Sequence, residues 1–314
     1  MSPHPLYAVI DVGSHSIKLS VARRDPAAGW QVEFENVVVT GLGVGNPREN
    51  GLDPAACERT VAALQIFAEK IRAFGVADYK TVATMVLRRA RDAERFVASV
   101  REQTGLKLGI ISGEDEARLA YLGAYLGLPE PPHGPVMAVD VGGSSTEIAW
   151  GTGRVPDACV SLPFGTISVT GDHGLADAVS SATVDMAADA VGRFLAEISV
   201  VPAPQHLLAV GATPASLAAL HLGAPIADSQ QAHGLVLTPQ DVGMLINRLR
   251  ALPAIDRRRL PGLHPERAEV ILAGAVIVAA VMRRWPGVPV VVSSCDLRLG
   301  VLEDSFAAKA RPRR

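Results

Sequence analysis

The sequence predicts an α/β fold made of two related domains that face each other. Short apolar runs alternate with helical patterns along the chain, which is the order expected of mixed helix and parallel-sheet folds. Of the 314 residues, 48% are hydrophobic and only 4% are aromatic, so the cores must be built from Ala, Val, Leu and Ile. A strand–turn–strand pattern at the N-terminus recurs in the second half, which indicates an internal repeat.

The first half of the chain alternates strands and helices. Asp53 is interpreted as the N-cap of the first long helix, because Pro54 follows it at the first helical position. The apolar face of that helix comprises Val61, Leu64, Phe67, Ala68 and Ile71. The predicted elements are strands at 7–10, 17–21 and 31–40, a helix at 53–74, a strand at 80–85, a helix at 92–104, a strand at 108–111 and a helix at 114–126.

A proline-rich segment, residues 127–135, marks the predicted boundary between the domains. It holds four prolines and two glycines, which excludes a helix or a central strand. We therefore expect an N-terminal domain at 1–128 and a C-terminal domain at 129–314, with the C-terminal helix free to pack back on the first domain. The second half should contain strands at 136–139, 147–150, 207–210 and 288–293, and helices at 184–198, 239–252, 266–284 and the C-terminus.

Composition excludes several classes of function. The formal net charge is -2 and no basic stripe with interleaved aromatics is present, so nucleic acid is not expected as a ligand. Cys57, Cys159 and Cys295 are far apart, which argues against a disulfide framework or a zinc site. The longest uncharged apolar run, residues 270–282, is too short to cross a bilayer and predicts a buried helix. No signal peptide is evident, so we expect a cytoplasmic protein without a membrane partner.

The repeated turn carries the strongest chemical signal. When the two copies are superposed, Asp11 falls on Asp140, and Gly13 falls on Gly142. Glycines let the backbone approach a ligand, and consecutive N–H groups form an anion site, so two such hairpins make a phosphate clamp. The Asp that opens each turn is well placed to bind a divalent cation. The candidate phosphate-binding residues are Gly13, Ser14, His15, Ser16, Gly142, Gly143, Ser144, Ser145 and Thr146.

Two glutamates have both a structural and a chemical interpretation. Glu147 faces the cleft beside Asp140 if strand alternation holds, and it is otherwise an exposed strand carboxylate. Glu116 lies in the first turn of a helix capped by Ser112, where acidic residues are favoured in any case. If that helix start adjoins the phosphate clamp, Glu116 can orient and deprotonate a water molecule.

Basic residues and a third small-residue turn complete the candidates. Arg88, Arg89 and Arg91 either grip phosphate oxygens or form a solvated charge run. The arginines at 257–259 and 311–314 are interpreted as solvated charge, with a disordered tail. Gly211 ends another apolar strand before a helix, which is a ready anion or nucleotide site.

Motifs spread over nearly the whole chain resemble those of one protein family in their order and spacing. They lie at residues 8–16, 41–43, 83–90, 111–119, 139–147, 161–165, 261–268, 271–274 and 293–300. On these motifs the chain resembles the exopolyphosphatase/guanosine pentaphosphate phosphatase (Ppx/GppA) family of the actin, sugar-kinase and chaperone-ATPase superfamily. The resemblance implies two actin-like (ribonuclease H-like) domains with a cleft between them.

The resemblance also implies roles for individual residues. Glu116 matches the catalytic carboxylate of the family and Arg88 its phosphate-directed arginine. Asp140 and Glu147 match the acids associated with Mg²⁺ (or Mn²⁺), and Asp11 is expected to join them. The chain departs from the family pattern at five positions. His15 replaces the usual Asn and Leu299 the usual Glu, and three residues replace a usual Gly, namely Ser144, Ala212 and Asp296.

The expected function is therefore that of an exopolyphosphatase, which releases terminal orthophosphate from inorganic polyphosphate by metal-assisted attack of water. Guanosine pentaphosphate is the second candidate substrate. A non-catalytic protein that binds polyphosphate or a nucleotide is the alternative, because the altered loops could bind without turnover. A homodimer is left open.

Overall fold

The computed structural model describes residues 4–45, 47–130, 132–200, 202–223 and 232–310. The chain forms two compact units: the first comprises Met1–Leu119 and Leu297–Arg314, and the second comprises Ala120–Asp296. The expected boundary at residue 128 thus differs from the observed one, which falls inside a continuous helix. The arginine tail at 311–314 and part of the proline-rich segment lie outside the described residues.

The first unit alternates strands and helices in the predicted order. Its elements are β1 (Leu6–Val12), β2 (Ser16–Asp25), β3 (Gly29–Val39), α1 (Pro47–Asn50), α2 (Pro54–Ala73), β4 (Asp78–Ala83), α3 (Met85–Arg89), α4 (Ala93–Thr104), β5 (Leu108–Ile110) and the beginning of α5 (Gly113–Leu126).

The second unit contains a second sheet and most of the helical mass. Its elements are β6 (Val136–Val141), β7 (Thr146–Gly151), β8 (Ala158–Leu162), α6 (Thr166–His173), α7 (Ser181–Ala196), β9 (His206–Val210), α8 (Ala212–Leu222), β10 (Val236–Leu237), α9 (Pro239–Arg250), α10 (Ala254–Arg257), α11 (Ile271–Arg284) and β11 (Val290–Ser293). The final helix, α12 (Leu297–Phe306), belongs to the first unit.

The two sheets repeat one topology. The first has the order β3-β2-β1-β4-β5, and the second has β8-β7-β6-β9-β11 with the short strand β10 added at the edge. In each sheet the first three strands of the unit are antiparallel, and the later strands of this core run parallel to the first. The predicted α/β class and the internal repeat are confirmed.

Local signals explain where several elements begin. The Asp53 carboxylate accepts a hydrogen bond of 2.7 Å from the Ala56 N–H, and Pro54 occupies the first turn, so the predicted helix start is confirmed. The predicted apolar face of α2 is buried at all five positions. Packing of this face against the first sheet gives the helix most of its stability, because isolated helices are marginal in water.

Each unit has its own hydrophobic core. In the second unit, α11 is buried along nearly its whole length, which confirms the buried helix predicted at 270–282. In the first unit, α12 packs Val301 and Leu302 against Tyr7 and Val9, and the rings of Tyr7 and Phe306 stack with centroids 4.8 Å apart. Among the described residues, no helix is both long enough and apolar enough to span a bilayer.

Two sequence predictions are wrong in detail, and some elements were missed. The strand expected at 80–85 ends at Ala83, because the chain turns at Thr84 into the short helix α3. The helix expected from residue 266 begins at Ile271, after one 3-10 turn at Pro265–Arg267. β8 and α6 were not predicted, since their sequences show neither a clear strand alternation nor a strong helical face.

Arg257 corrects the interpretation of residues 257–259 as solvated charge. Its side chain is fully buried, and it donates hydrogen bonds to four backbone carbonyls. The acceptors are Leu249 at 3.0 Å, Leu175 at 2.8 Å, Ala268 at 3.3 Å and Asp177 at 2.9 Å. The guanidinium therefore satisfies the carbonyls of several loops that converge beside α10.

Candidate active site

The first predicted phosphate loop is the tight turn between β1 and β2. Val12 pairs with Ile17 at the end of the ladder, and the Gly13 N–H donates to the Ser16 carbonyl at 3.1 Å. A Cβ atom at Gly13 would lie 3.0 Å from that carbonyl oxygen. The turn is therefore too tight for a larger residue at this position without displacement of the loop.

The second loop has the same geometry between β6 and β7. Val141 pairs with Thr146, and the Gly142 N–H donates to the Ser145 carbonyl at 3.0 Å. A Cβ atom at Gly142 would lie 2.9 Å from that oxygen. The superposition made from the sequence thus extends to the hydrogen bonds of the turn. Ser144 does not need a left-handed backbone, because every described residue with positive φ is a glycine.

The carbonyl groups of both loops are bound from behind by the segment that follows the third strand of each unit. In the first unit, the His15 carbonyl accepts from the N–H groups of Thr40 (3.1 Å) and Gly41 (3.0 Å), and the Ser14 carbonyl accepts from Gly43 (2.7 Å). When the carbonyl groups of a loop are hydrogen-bonded to the protein, its N–H groups can face outward and bind an anion.

In the second unit, the start of α6 plays the same part. The Thr166 N–H donates to the Gly142 carbonyl at 2.9 Å, and the Ile167 N–H donates to the Gly143 carbonyl at 2.7 Å. The contact is so close that a Cβ atom at Gly165 would lie 2.5 Å from the Gly143 carbonyl. The N–H groups at the start of a helix have no partner within the helix, so their hydrogen bonds to the loop carbonyls fix the loop.

Thr146 supports the second loop from inside. It is fully buried, and its hydroxyl donates to the Phe164 carbonyl at 3.0 Å. The hydroxyl proton is therefore committed to the protein. Ser145 is also buried, whereas Ser144 and Gly143 are half-buried at the tip of the loop.

The aspartates that open the two loops have cross-strand neighbours of opposite charge. Asp11 lies across the ladder from Lys18, and the Lys18 ammonium is 3.7 Å from the Asp11 carboxylate. Asp140 lies across the ladder from Glu147 in the same register. Directly opposite residues share one face of a sheet. The first pair therefore combines an acid with a built-in cation, and the second pair places two acids together.

Glu147 is buried and not an exposed strand carboxylate, so that interpretation is wrong. The Ser161 hydroxyl donates to Glu147 at 2.7 Å and orients it. Gly211, with φ of 94°, closes the other side of Asp140, where a Cβ atom would lie 2.8 Å from the carboxylate. Two fixed carboxylates suit Mg²⁺, which typically takes one or two carboxylates and completes its shell with waters and phosphate oxygens.

A closed metal cage is not part of this arrangement. Among the described residues, no three His, Cys, Asp or Glu side chains are grouped so that they could hold a metal ion. Asp11, which was expected as a third ligand, has the Lys18 ammonium 3.7 Å from its carboxylate, and its role as a ligand stays a prediction. Metal binding at Asp140 and Glu147 stays a prediction.

Glu116 and Arg88, the two predicted catalytic residues, form an ion pair in the first unit. The distance from Arg88 Nη1 to Glu116 Oε2 is 2.6 Å, and Arg88 also donates to the Ile111 carbonyl at 3.1 Å. Arg89 and Arg91 are exposed, so the arginine run divides into one paired and two solvated members. The short helix α3 delivers Arg88, and the first turn of α5 delivers Glu116.

The first turn of α5 fixes the position of Glu116. The Ser112 hydroxyl accepts from the Asp115 N–H at 3.0 Å, which confirms Ser112 as the predicted cap. The Glu116 carboxylate is buried, and burial raises its pKa to about 7, against the opposing effect of Arg88. A carboxylate with that pKa is a stronger base than an ordinary glutamate, as a proton acceptor from water requires.

The sequence prediction missed three contributors to the site. Lys18 could have been found by continuing the superposition of the repeat, since it falls on Glu147. Ser161 and Gly165 lie in a motif that was recognised only as part of the family resemblance. Their contacts connect strands and loops that are remote in sequence, and no local pattern encodes such contacts.

Comparisons with known proteins relate the whole chain to one family. The model of the Ppx/GppA phosphatase family matches residues 20–308. Exopolyphosphatase 1 of Mycobacterium tuberculosis is 28% identical over 300 residues, which cover 94% of this chain and 86% of the relative. An uncharacterised protein of Streptomyces coelicolor is 30% identical over 309 residues, with 94% and 88% coverage.

Solved structures give the same result. The crystal structure of the Aquifex aeolicus member of the Ppx/GppA family is 30% identical, has a TM-score of 0.84, and matches over 98% of this chain and 100% of that chain. An exopolyphosphatase from Cytophaga hutchinsonii has a TM-score of 0.86 at 19% identity, over 96% and 98% of the two chains, which supports the fold alone. The predicted actin-like α/β fold class is confirmed.

Proposed function

Because this chain belongs to the Ppx/GppA phosphatase family and is a phosphoric anhydride hydrolase, we propose that it acts as an exopolyphosphatase, which releases orthophosphate from the end of inorganic polyphosphate. The observation that carries this proposal is the buried Glu116 with its raised pKa, 2.6 Å from Arg88. Such a pair holds a general base in place and can discharge its proton afterwards.

In the proposed reaction, the amide groups of the loop at residues 13–16 bind oxygens of the terminal phosphate. The oxygen of a water molecule attacks the terminal phosphorus, and the anhydride P–O bond breaks on the opposite side. Glu116 accepts the proton of the attacking water, and the shortened polyphosphate leaves with the bridging oxygen. Arg88 holds Glu116, and the positive charge of its guanidinium would stabilise the phosphate oxygens that gain charge in the transition state.

Asp140 and Glu147 are proposed to hold Mg²⁺ or Mn²⁺. The bound cation would neutralise the charge on the phosphate oxygens of the substrate. Ser161 keeps Glu147 in place through its hydrogen bond of 2.7 Å, and Gly211 leaves room for Asp140. These contacts orient the ligands in the manner that metal sites usually require of their surroundings.

The acid limb of the pH profile should report Glu116. Its folded pKa is raised, and only the ionised form accepts a proton, so kcat/KM should increase with pH up to about 7 and then level off. Measurement of kcat/KM on a short polyphosphate from pH 5 to 9 checks this. A profile that is already flat at pH 5 contradicts the assignment of Glu116 as the base.

Removing one carboxylate of the acid pair should weaken metal use. Asp140→Ala is expected to raise the Mg²⁺ concentration for half-maximal activity at least tenfold, because one of two protein ligands is lost. Titration of activity with Mg²⁺ measures the change, and Asp157→Ala, at an exposed position of the same unit, is the control. Full wild-type activity in excess chelator would show that no metal is used.

The substrate is decided by phosphate release under matched conditions. We expect faster release from polyphosphate than from guanosine pentaphosphate at equal concentrations of terminal phosphate. The reverse order would assign the chain to guanosine pentaphosphate, the second candidate substrate. Tight binding of polyphosphate without release would identify a non-catalytic binding protein.

Cell fractionation and size-exclusion chromatography test the expected cytoplasmic location and the homodimer.

A further inference from the structure

One side chain holds the segment behind the first predicted phosphate loop, residues 40–43, which is called the brace below. The Thr40 carbonyl accepts two hydrogen bonds from Arg59 on α2, from Nε at 3.2 Å and from Nη2 at 3.0 Å. Thr40 C=O and Gly41 N–H belong to the same planar peptide unit. That N–H donates to the His15 carbonyl in the loop. Arg59 therefore acts on the loop through a single rigid group.

The chemistry of this contact makes it effective. A guanidinium that donates to a carbonyl polarises the peptide, which strengthens the hydrogen bond made by the N–H of the same unit. Gly41 has φ of 65°. Because glycine can adopt many other backbone conformations, the backbone alone does not fix the orientation of this peptide. Within the described part of the chain, Arg59 forms no ion pair, and both of its hydrogen bonds go to Thr40.

The second unit holds its loop without such a side chain. There the N–H groups of Thr166 and Ile167, at the start of α6, donate to the loop carbonyls of Gly142 and Gly143. The segment behind the first loop is not a helix start, and Arg59 on α2 holds its peptide instead.

We propose that Arg59 is a positioning residue for phosphate binding: it orients the Thr40–Gly41 peptide, and this peptide holds the loop at His15 in the shape that binds phosphate. The inference rests on the proposed function of that loop. Arg59 acts through the loop, and its loss should affect the affinity for the substrate more than the chemical step.

The test compares Arg59→Met with Arg72→Met, which removes an exposed arginine from the same helix. Amide exchange of Thr40, Gly41 and Gly43 should become at least tenfold faster in Arg59→Met only. KM for a short polyphosphate should rise about tenfold with kcat reduced less, since small displacements of binding groups are costly. Arg59→Lys, which keeps the charge and one donor, should fall between Arg59→Met and the wild type.

The exchange measurement needs no activity, so it separates this proposal from the proposed function. Unchanged exchange at these three amides overturns the role of Arg59, whatever the substrate proves to be. Faster exchange with an unchanged KM overturns it as well, because the brace would then serve stability alone. If the wild type hydrolyses no polyphosphate, binding of pyrophosphate replaces KM, and a loss of affinity in Arg59→Met alone supports the role.

Discussion

Glu116→Gln should lower kcat by about 10²–10⁴-fold and leave the affinity for polyphosphate close to that of the wild type. Gln keeps the size of the side chain and can still accept a hydrogen bond from Arg88, so the change removes the base without removing the group. Single-turnover phosphate release measures the rate, and binding of polyphosphate to the same variant measures the affinity.

Glu114→Gln is the matched control for this experiment. Glu114 lies in the same helical turn and is exposed, so its substitution should leave the rate unchanged. If Glu116→Gln retains more than a tenth of the wild-type rate, another group must accept the proton.

The same variant should also report the cost of burying the carboxylate. The folded pKa of Glu116 is raised above its unfolded value, so ionisation opposes folding, and this penalty grows as the pH rises from the ordinary glutamate range through about 7. The difference in Tm between Glu116→Gln and the wild type should therefore shift in favour of the variant when the pH is raised from 5 to 8. Thermal unfolding at both pH values compares the two proteins.

Arg257→Met should reduce the free energy of unfolding by about 3 kcal/mol or more, because it leaves four carbonyls without their donor at a buried position. Met matches the length of the aliphatic stem, so the loss isolates the hydrogen bonds better than Ala does. Urea unfolding measures the change. Arg259→Met, two residues away with its side chain 80% exposed, should change stability by less than about 0.5 kcal/mol. Equal stabilities of the two variants would contradict the role of Arg257.

Prediction from the sequence succeeded where one residue's neighbours along the chain decide its structure. Asp53 followed by Pro54 is sufficient for a helix start, because the cap bond spans three residues. The repeat located both hairpin turns for a similar reason, since each is short and is too tight for a residue larger than the glycine at Gly13 or Gly142.

Prediction failed where partners distant in the sequence decide the outcome. Arg257 and Arg259 belong to one arginine run, yet the first is buried among carbonyls up to 82 residues away and the second is in solvent. Nothing in the run distinguishes them. The same holds for Ser161 and Glu147, which meet only because β7 and β8 pair in one register.

The first hairpin has Lys18 at the position where the second has Glu147. The positive charge beside the opening aspartate therefore has a different source in each hairpin. The ammonium beside Asp11 is covalently attached, so its local concentration never varies and no chelator can remove it. The cation proposed beside Asp140 and Glu147 would have to come from the surroundings, and its occupancy would follow the free Mg²⁺ concentration. In the proposed enzyme, the cation of the first hairpin is therefore part of the chain itself, whereas that of the second hairpin depends on the ionic composition of the medium.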